Sequence, residues 1–211
     1  DHPGITALFV QGCGADQNPL PRRTVQLAQQ YGQELAAAVN RVLTEDMQPL
    51  TSNLSTAYGE VELPLNTPPT KEELSKKVQE STGYQKRWAQ NLIKQIDGGE
   101  SLRTSYPYPV QVWKVGEQPI VILGGETVID YSISLKHVFG PGLFVLGYSN
   151  DVMSYIPSAR IVQEGGYEGA SSQMVYGLPS TWKPDIETLI VGEVLKVAKE
   201  AGVPMATSKV N

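Results

Sequence analysis

Two hydrophobic periods alternate along this chain. From Arg22 to Leu43, apolar residues recur at Val25, Ala28, Gly32, Leu35, Val39 and Val42, which predicts a helix with one face on a sheet. Ahead of it, Thr6 to Val10 is apolar throughout, as in a central strand covered on both faces. Between Leu50 and Leu65 the period drops to two, with Ala57, Gly59, Val61 and Leu63 alternating against Tyr58, Glu60 and Glu62. After the turn Asn66-Thr67-Pro68-Pro69, Thr70 and Glu73 fit a capping box. It opens the first of two charged amphipathic helices, Lys71 to Ser81 and Tyr84 to Ile96. Tyr106 to Val115 alternates again, with Tyr108, Val110 and Val112 on one side and Gln111 and Trp113 on the other. Gly116-Glu117-Gln118 then turns the chain into Pro119, giving a hairpin.

The stretch from Pro119 to Ala170 reads as strand, loop, helix, strand, loop. Pro119 to Leu123 is an apolar run broken by Gly124-Gly125, Thr127 to Val138 is helical, and Gly140-Pro141-Gly142 stops it. Leu143 to Leu146 is a second buried strand, and a unit of this length favours a parallel crossover. Residues 157–183 have loop composition and little periodicity. Pro184 begins a last helix, Asp185 to Ala201, with Ile186, Leu189, Ile190, Val194, Val197 and Ala198 on its buried side. The fold class expected is α/β, with α+β as the alternative: one domain over residues 1–211, a mixed sheet flanked by helices.

Composition narrows this picture little. A net charge of −5 with scattered basic residues argues against a nucleic-acid surface, and no apolar run reaches the ~20 residues of a transmembrane helix. Asp1-His2-Pro3-Gly4 leads almost at once into a strand expected to be central, and central strands rarely open a domain. The expectation is therefore the C-terminal part of a longer chain, from which a signal sequence could also have been lost.

Ligands of open α/β sheets sit beyond the carboxyl ends of the strands. Two polar side chains fall there, Glu126 after the first strand of the crossover and Tyr155 after the second, and both could face one cleft. Glu126 could ligate a metal or act as a base, or simply favour a helix N-terminus. Tyr155 could bind a metal or donate to an oxyanion, or be a half-buried loop tyrosine. Tyr167-Glu168 lies in a similar position between glycines. In the loop Gly12 to Pro19, Asp16 and Asn18 could line a site or make Asx turns; the spacing is not that of a phosphate-binding loop. Cys13 has no basic neighbour in sequence and reads as a buried structural thiol. The two histidines are His2, a surface turn residue, and His137, about 15 Å along a helix from Glu126 and nearer a C-terminal cap. This chain alone cannot complete an ordinary zinc site.

Three stretches together resemble the second half of the catalytic domain of the neutral/alkaline, non-lysosomal ceramidases: ALFVQGCGADQNP, VWKVGEQPIVILGGETVIDYSISLK and VLGYSNDVMSYIPSARIVQEGGYEGAS. The last, with YSN, a following Tyr and YEGAS, is the most specific. The resemblance implies a zinc hydrolase that cleaves the amide bond of a lipid-like N-acyl sphingoid. It implies that Glu126 and Tyr155 are metal ligands, that Tyr167 sits in the pocket and stabilises the oxyanion, and that both histidine ligands lie outside this chain. Asn18 stands where the family has Ser, and with Asp16 it is expected to orient substrate or a ligand. A secreted or periplasmic location follows from the resemblance alone. Two rival expectations stand beside it: a non-catalytic binding or structural relative that keeps the fold, and an amidase for another N-acyl substrate.

Overall fold

The computed structural model describes residues 2–4 and 6–206; Asp1, Ile5 and 207–211, which the expected 1–211 domain includes, lie outside them. The helical period materialises first as α1, Val25–Leu43, where the Thr24 hydroxyl accepts from the Leu27 amide. The alternating segments form β1, Leu54–Pro64, and β2, Ser105–Val115, paired antiparallel from Leu54 opposite Val115 to Pro64 opposite Ser105. Between them lie α2, Lys71–Glu80, and α3, Gly83–Asp97, the first opened by the Thr70/Glu73 capping box. The hairpin brings β3, Gln118–Leu123, antiparallel onto β2, with Val110 opposite Leu123.

The crossover follows. β4 is the two-residue strand Glu126–Thr127, α4 is Ile129–Phe139, and β5, Phe144–Leu146, returns parallel to β3. The main sheet is therefore mixed, in the order β1-β2-β3-β5. β6, Tyr155–Ile156, pairs in parallel with β4 to make a second, two-stranded sheet. The fold is α/β with a mixed sheet, as the pattern predicts.

α7, Ile186–Glu200, lies across β1 and β2 and buries Ile186, Ile190, Val194, Val197 and Ala198. These meet Leu63, Tyr108, Val110, Val112, Val121, Leu135, Val145 and Trp182 in the main core. A smaller cluster, Leu74, Ala89 and Leu92, joins α2 to α3. No described helix is long and apolar enough to cross a membrane.

Three expectations are corrected. Thr6 to Val10 is not a strand: Leu8 is 90% and Phe9 78% exposed, and this segment stands off the sheet. Nor does α1 pack on the sheet, since none of its residues is buried. Periodicity reveals which face of a helix is apolar but not what covers it, and no described residue buries this face. Finally, residues 157–183 are not structureless. They hold α5, Ala159–Glu164, α6, Gly166–Gly169, and a 3₁₀ turn, Ser171–Met174, each too short for a hydrophobic period to show.

Candidate functional site

The second sheet exists because the chain after β3 folds tightly on itself. Gly124 and Gly125 end β3; the Gly125 amide donates to the Asp151 carbonyl at 2.7 Å, and the Tyr148 amide to the Gly125 carbonyl at 2.8 Å. Gly125 has φ +68°. A Cβ there would lie 2.4 Å from Ile156 Cγ1, so only glycine lets β4 approach β6. Beneath, the buried Tyr108 and Thr127 hydroxyls both donate to the Gly124 carbonyl, at 2.9 and 2.8 Å. On the far side, Trp182 Nε1 donates to the Tyr155 carbonyl at 2.8 Å.

The consequence is that Glu126 and Tyr155 are directly opposed across a parallel strand pair. Around the half-buried Glu126 carboxylate stand further phenols. Tyr148 donates to Oε2 at 3.1 Å, and Tyr176 donates to Oε1. Tyr155 packs edge-on against Tyr167, with ring centroids 5.4 Å apart, and against Tyr176 at 6.5 Å. The structure thus brings Glu126, Tyr155 and Tyr167 together, and adds Tyr148 and Tyr176.

Burial raises the phenol of Tyr148 to about 12, with the Glu126 charge adding to it. Tyr155 and Tyr176 are raised for the same two reasons, burial first. All three are protonated donors near neutral pH. Among the described residues no Lys, Arg or His forms an ion pair with Glu126. The half-buried carboxylate is met by two neutral phenol donors, and its remaining surface is open to solvent.

Asp16 and Asn18 have separate fates. The loop from Gln11 clips onto the sheet ends, where the Gly147 amide donates to the Gln11 carbonyl at 3.1 Å and the Ala15 amide to the Thr127 carbonyl at 3.3 Å. Asp16 Oδ1 accepts from the Ile129 amide at 2.9 Å, holding the first turn of α4. Its charge also contributes to the raised pKa of Tyr148. Asn18 is exposed, and among the described residues no hydrogen bond joins it to the phenol cluster. Cys13 is buried as expected, its thiol pushed up to about 12 by burial.

The histidines lie elsewhere. His137 is exposed on α4, and His2 Nε2 pairs with Asn40 Oδ1 at 2.8 Å. Among the described residues no group of three or more His, Cys, Asp or Glu could hold a metal. The donors present nevertheless suit one: a carboxylate and a phenol are oxygen ligands that complement imidazoles on zinc. They fit as part of a ligand set.

Tyr148 and Tyr176 were not legible as site residues. Tyr148 adopts φ +54°, a left-handed conformation that is uncommon for a bulky side chain and that clusters at functional sites. That is visible only in three dimensions. Tyr176 arrives from the segment after the 3₁₀ turn, where no local pattern marks it.

Comparison with known proteins adds no relative. No family model matches the chain, and no curated protein or solved structure matches it.

Proposed function

We propose that this chain is part of a zinc-dependent hydrolase of an amide bond, ceramidase-like, in which Glu126 and Tyr155 are two of the metal's ligands. Two histidines from outside this chain complete the set. The observation that carries the reading is the half-buried Glu126 carboxylate, opposed to Tyr155, ringed by phenols and paired with no cationic side chain among the described residues. The resemblance in YSN…Y and YEGAS supports the substrate class, a lipid-like N-acyl amine, and a site of action outside the cytoplasm.

When bound, zinc supplies Lewis acidity that makes water nucleophilic near neutral pH. The chain's own residues do the rest. Tyr148 and Tyr176 hold one carboxylate oxygen each, so Glu126 is aimed before anything binds. Tyr167, exposed at the cluster's rim and packed on Tyr155, donates to the carbonyl oxygen as negative charge develops. Asp16 ties the N-terminal loop to α4 and keeps the site's floor in place. Asn18, exposed on that loop, is assigned the role of meeting substrate by the resemblance alone.

The test is zinc content and N-acyl sphingoid hydrolysis by the protein expressed from its whole reading frame, with and without chelator. Chelator-sensitive release of fatty acid supports the reading, and Glu126→Ala should lose both zinc and turnover. One observation favours a second reading, a non-catalytic relative: the exposed Asn18 in place of the family's Ser. Zinc binding without hydrolysis of N-acyl sphingoids or simpler N-acyl amines would select it.

A further inference from the structure

α1 is 19 residues long and buries none of them, yet its apolar residues are strictly ordered. Val25, Ala28, Gly32, Leu35, Val39 and Val42 follow one another at intervals of three, four, three, four and three. That is the spacing of a two-stranded coiled-coil seam, narrower than the stripe of a helix lying on a sheet. Its four larger members, Val25, Leu35, Val39 and Val42, are 48–71% exposed. Helices of this size take most of their stability in water from packing of such a face.

The seam is its own complement. Its positions are symmetric about the midpoint of α1, between Gln33 and Glu34. Turned end for end onto a second copy, Val25 meets Val42, Ala28 meets Val39 and Gly32 meets Leu35. Each contact then occurs twice, as two-fold symmetry requires. In two of these three pairs a small residue receives a larger one. A parallel pair would instead set Gly32 against Gly32 and leave a void.

Charge selects the same arrangement. Glu34 and Arg41, the charged residues within α1, lie off the seam. Arg22 and Arg23 stand just before the N-cap Thr24, and Glu45 and Asp46 just after the C-cap Thr44. Glu45 also pairs with Arg41 at 3.8 Å. Both flanking pairs oppose the dipole of their own helix, which favours anions at its start and cations at its end. Beside an antiparallel second copy, the arginines of one chain lie at the C-terminal end of the other, next to its acids.

We propose that α1 is a self-association surface on which a second copy of this chain docks antiparallel, Gly32 of each copy receiving Leu35 of the other. The inference uses neither zinc nor Glu126, so it stands or falls separately from the hydrolase reading. The seam is about 28 Å long at 1.5 Å per residue. That places the interface at the small end, with a dissociation constant on the order of micromolar.

Sedimentation equilibrium on the protein expressed from its whole reading frame should show a reversible monomer–dimer equilibrium. Leu35→Glu, at an exposed position, should raise the dissociation constant about a hundredfold or more with the circular dichroism spectrum unchanged. Gly32→Leu separates this seam from general stickiness. A Cβ there meets nothing within 4 Å in the single chain, and leucine favours the helix. The variant should nevertheless weaken the dimer about tenfold or more, because the space for Leu35 is filled. Adding Leu35→Ala to it should restore association. Orientation is read with Val25→Cys and Val42→Cys, made singly; the native Cys13 is buried and does not interfere. A short bis-maleimide should cross-link a mixture of the two variants and neither one alone. A monomer at every concentration, a dimer indifferent to Leu35→Glu, tighter association in Gly32→Leu, or cross-linking of Val25→Cys to itself would overturn the proposal. If Leu35→Glu fails to fold, the cross-linking pair and Gly32→Leu decide it.

Discussion

Replacing Gly125 with Ala puts the geometry of the second sheet to a quantitative test. Two costs add there. The residue has φ +68°, where an L side chain pays about 1–2 kcal/mol. The new Cβ would also lie 2.4 Å from Ile156 Cγ1 and 2.8 Å from the Ser154 carbonyl oxygen, against 3.4 Å or more for ordinary contact. Ile156 is fully buried, so relief means moving β6 away from β4, and overpacking of this kind costs about 1–3 kcal/mol. The sum is about 2–5 kcal/mol, a fall in Tm of roughly 4–20 °C at this chain length. Gly202→Ala isolates the first cost, because Gly202 has φ +73° and open space where its Cβ would go. Scanning calorimetry on both variants should show the Gly125 variant losing about 1–3 kcal/mol more than its control. Equal losses would mean that the close approach of β4 to β6 is not real, and the opposition of Glu126 and Tyr155 would lose its basis.

Other expectations are more local. Trp182→Phe removes a fully buried donor to the Tyr155 carbonyl and some volume, so it should cost about 2–4 kcal/mol in chemical denaturation. Cys13, buried with its thiol pushed up to about 12, should resist alkylation at pH 8 in the native protein and react promptly once denaturant is added. Because the Tyr148 phenol is raised in the folded state, the unfolded chain gives up that proton first as pH rises. Its share of stability is full below pH ~10 and is lost between there and about 12. Tyr148→Phe should flatten that alkaline loss, measured as Tm against pH. Leu8→Asp, at a residue 90% exposed, should change stability by no more than about 0.5 kcal/mol, whereas a loss above about 2 kcal/mol would restore the segment to a core.

Most of the sheet was legible because its strands obey simple rules. β1 and β2 alternate cleanly, so their facing follows from local sequence, and Gly116-Glu117 leaves little choice but the hairpin of β2 with β3; the pairing of β1 with β2, across the two helices between them, does not follow from it. The opposition of Glu126 and Tyr155 was legible only as strand-tip geometry plus a resemblance. The two-residue strands that create it carry no period at all. Tyr176 lies 50 residues from Glu126, and nothing near it announces the contact. Thr6–Val10 and α1 misled for the opposite reason: apolar residues mark a surface that favours cover, and the inference that the sheet supplies it fails. Asp16 shows the limit at a single residue. Its polar loop position fitted a site or an Asx turn equally well, and the structure gives it instead the start of α4.

The account depends on Glu126 and Tyr155 sharing one metal ion. Elemental analysis of the protein expressed from its whole reading frame, alongside Glu126→Gln and Tyr155→Phe, addresses this directly. About one zinc per chain is expected in the parent, with each variant losing most of it while its circular dichroism spectrum stays unchanged. Full zinc occupancy in both folded variants, or none in the parent after growth with excess zinc, would contradict it.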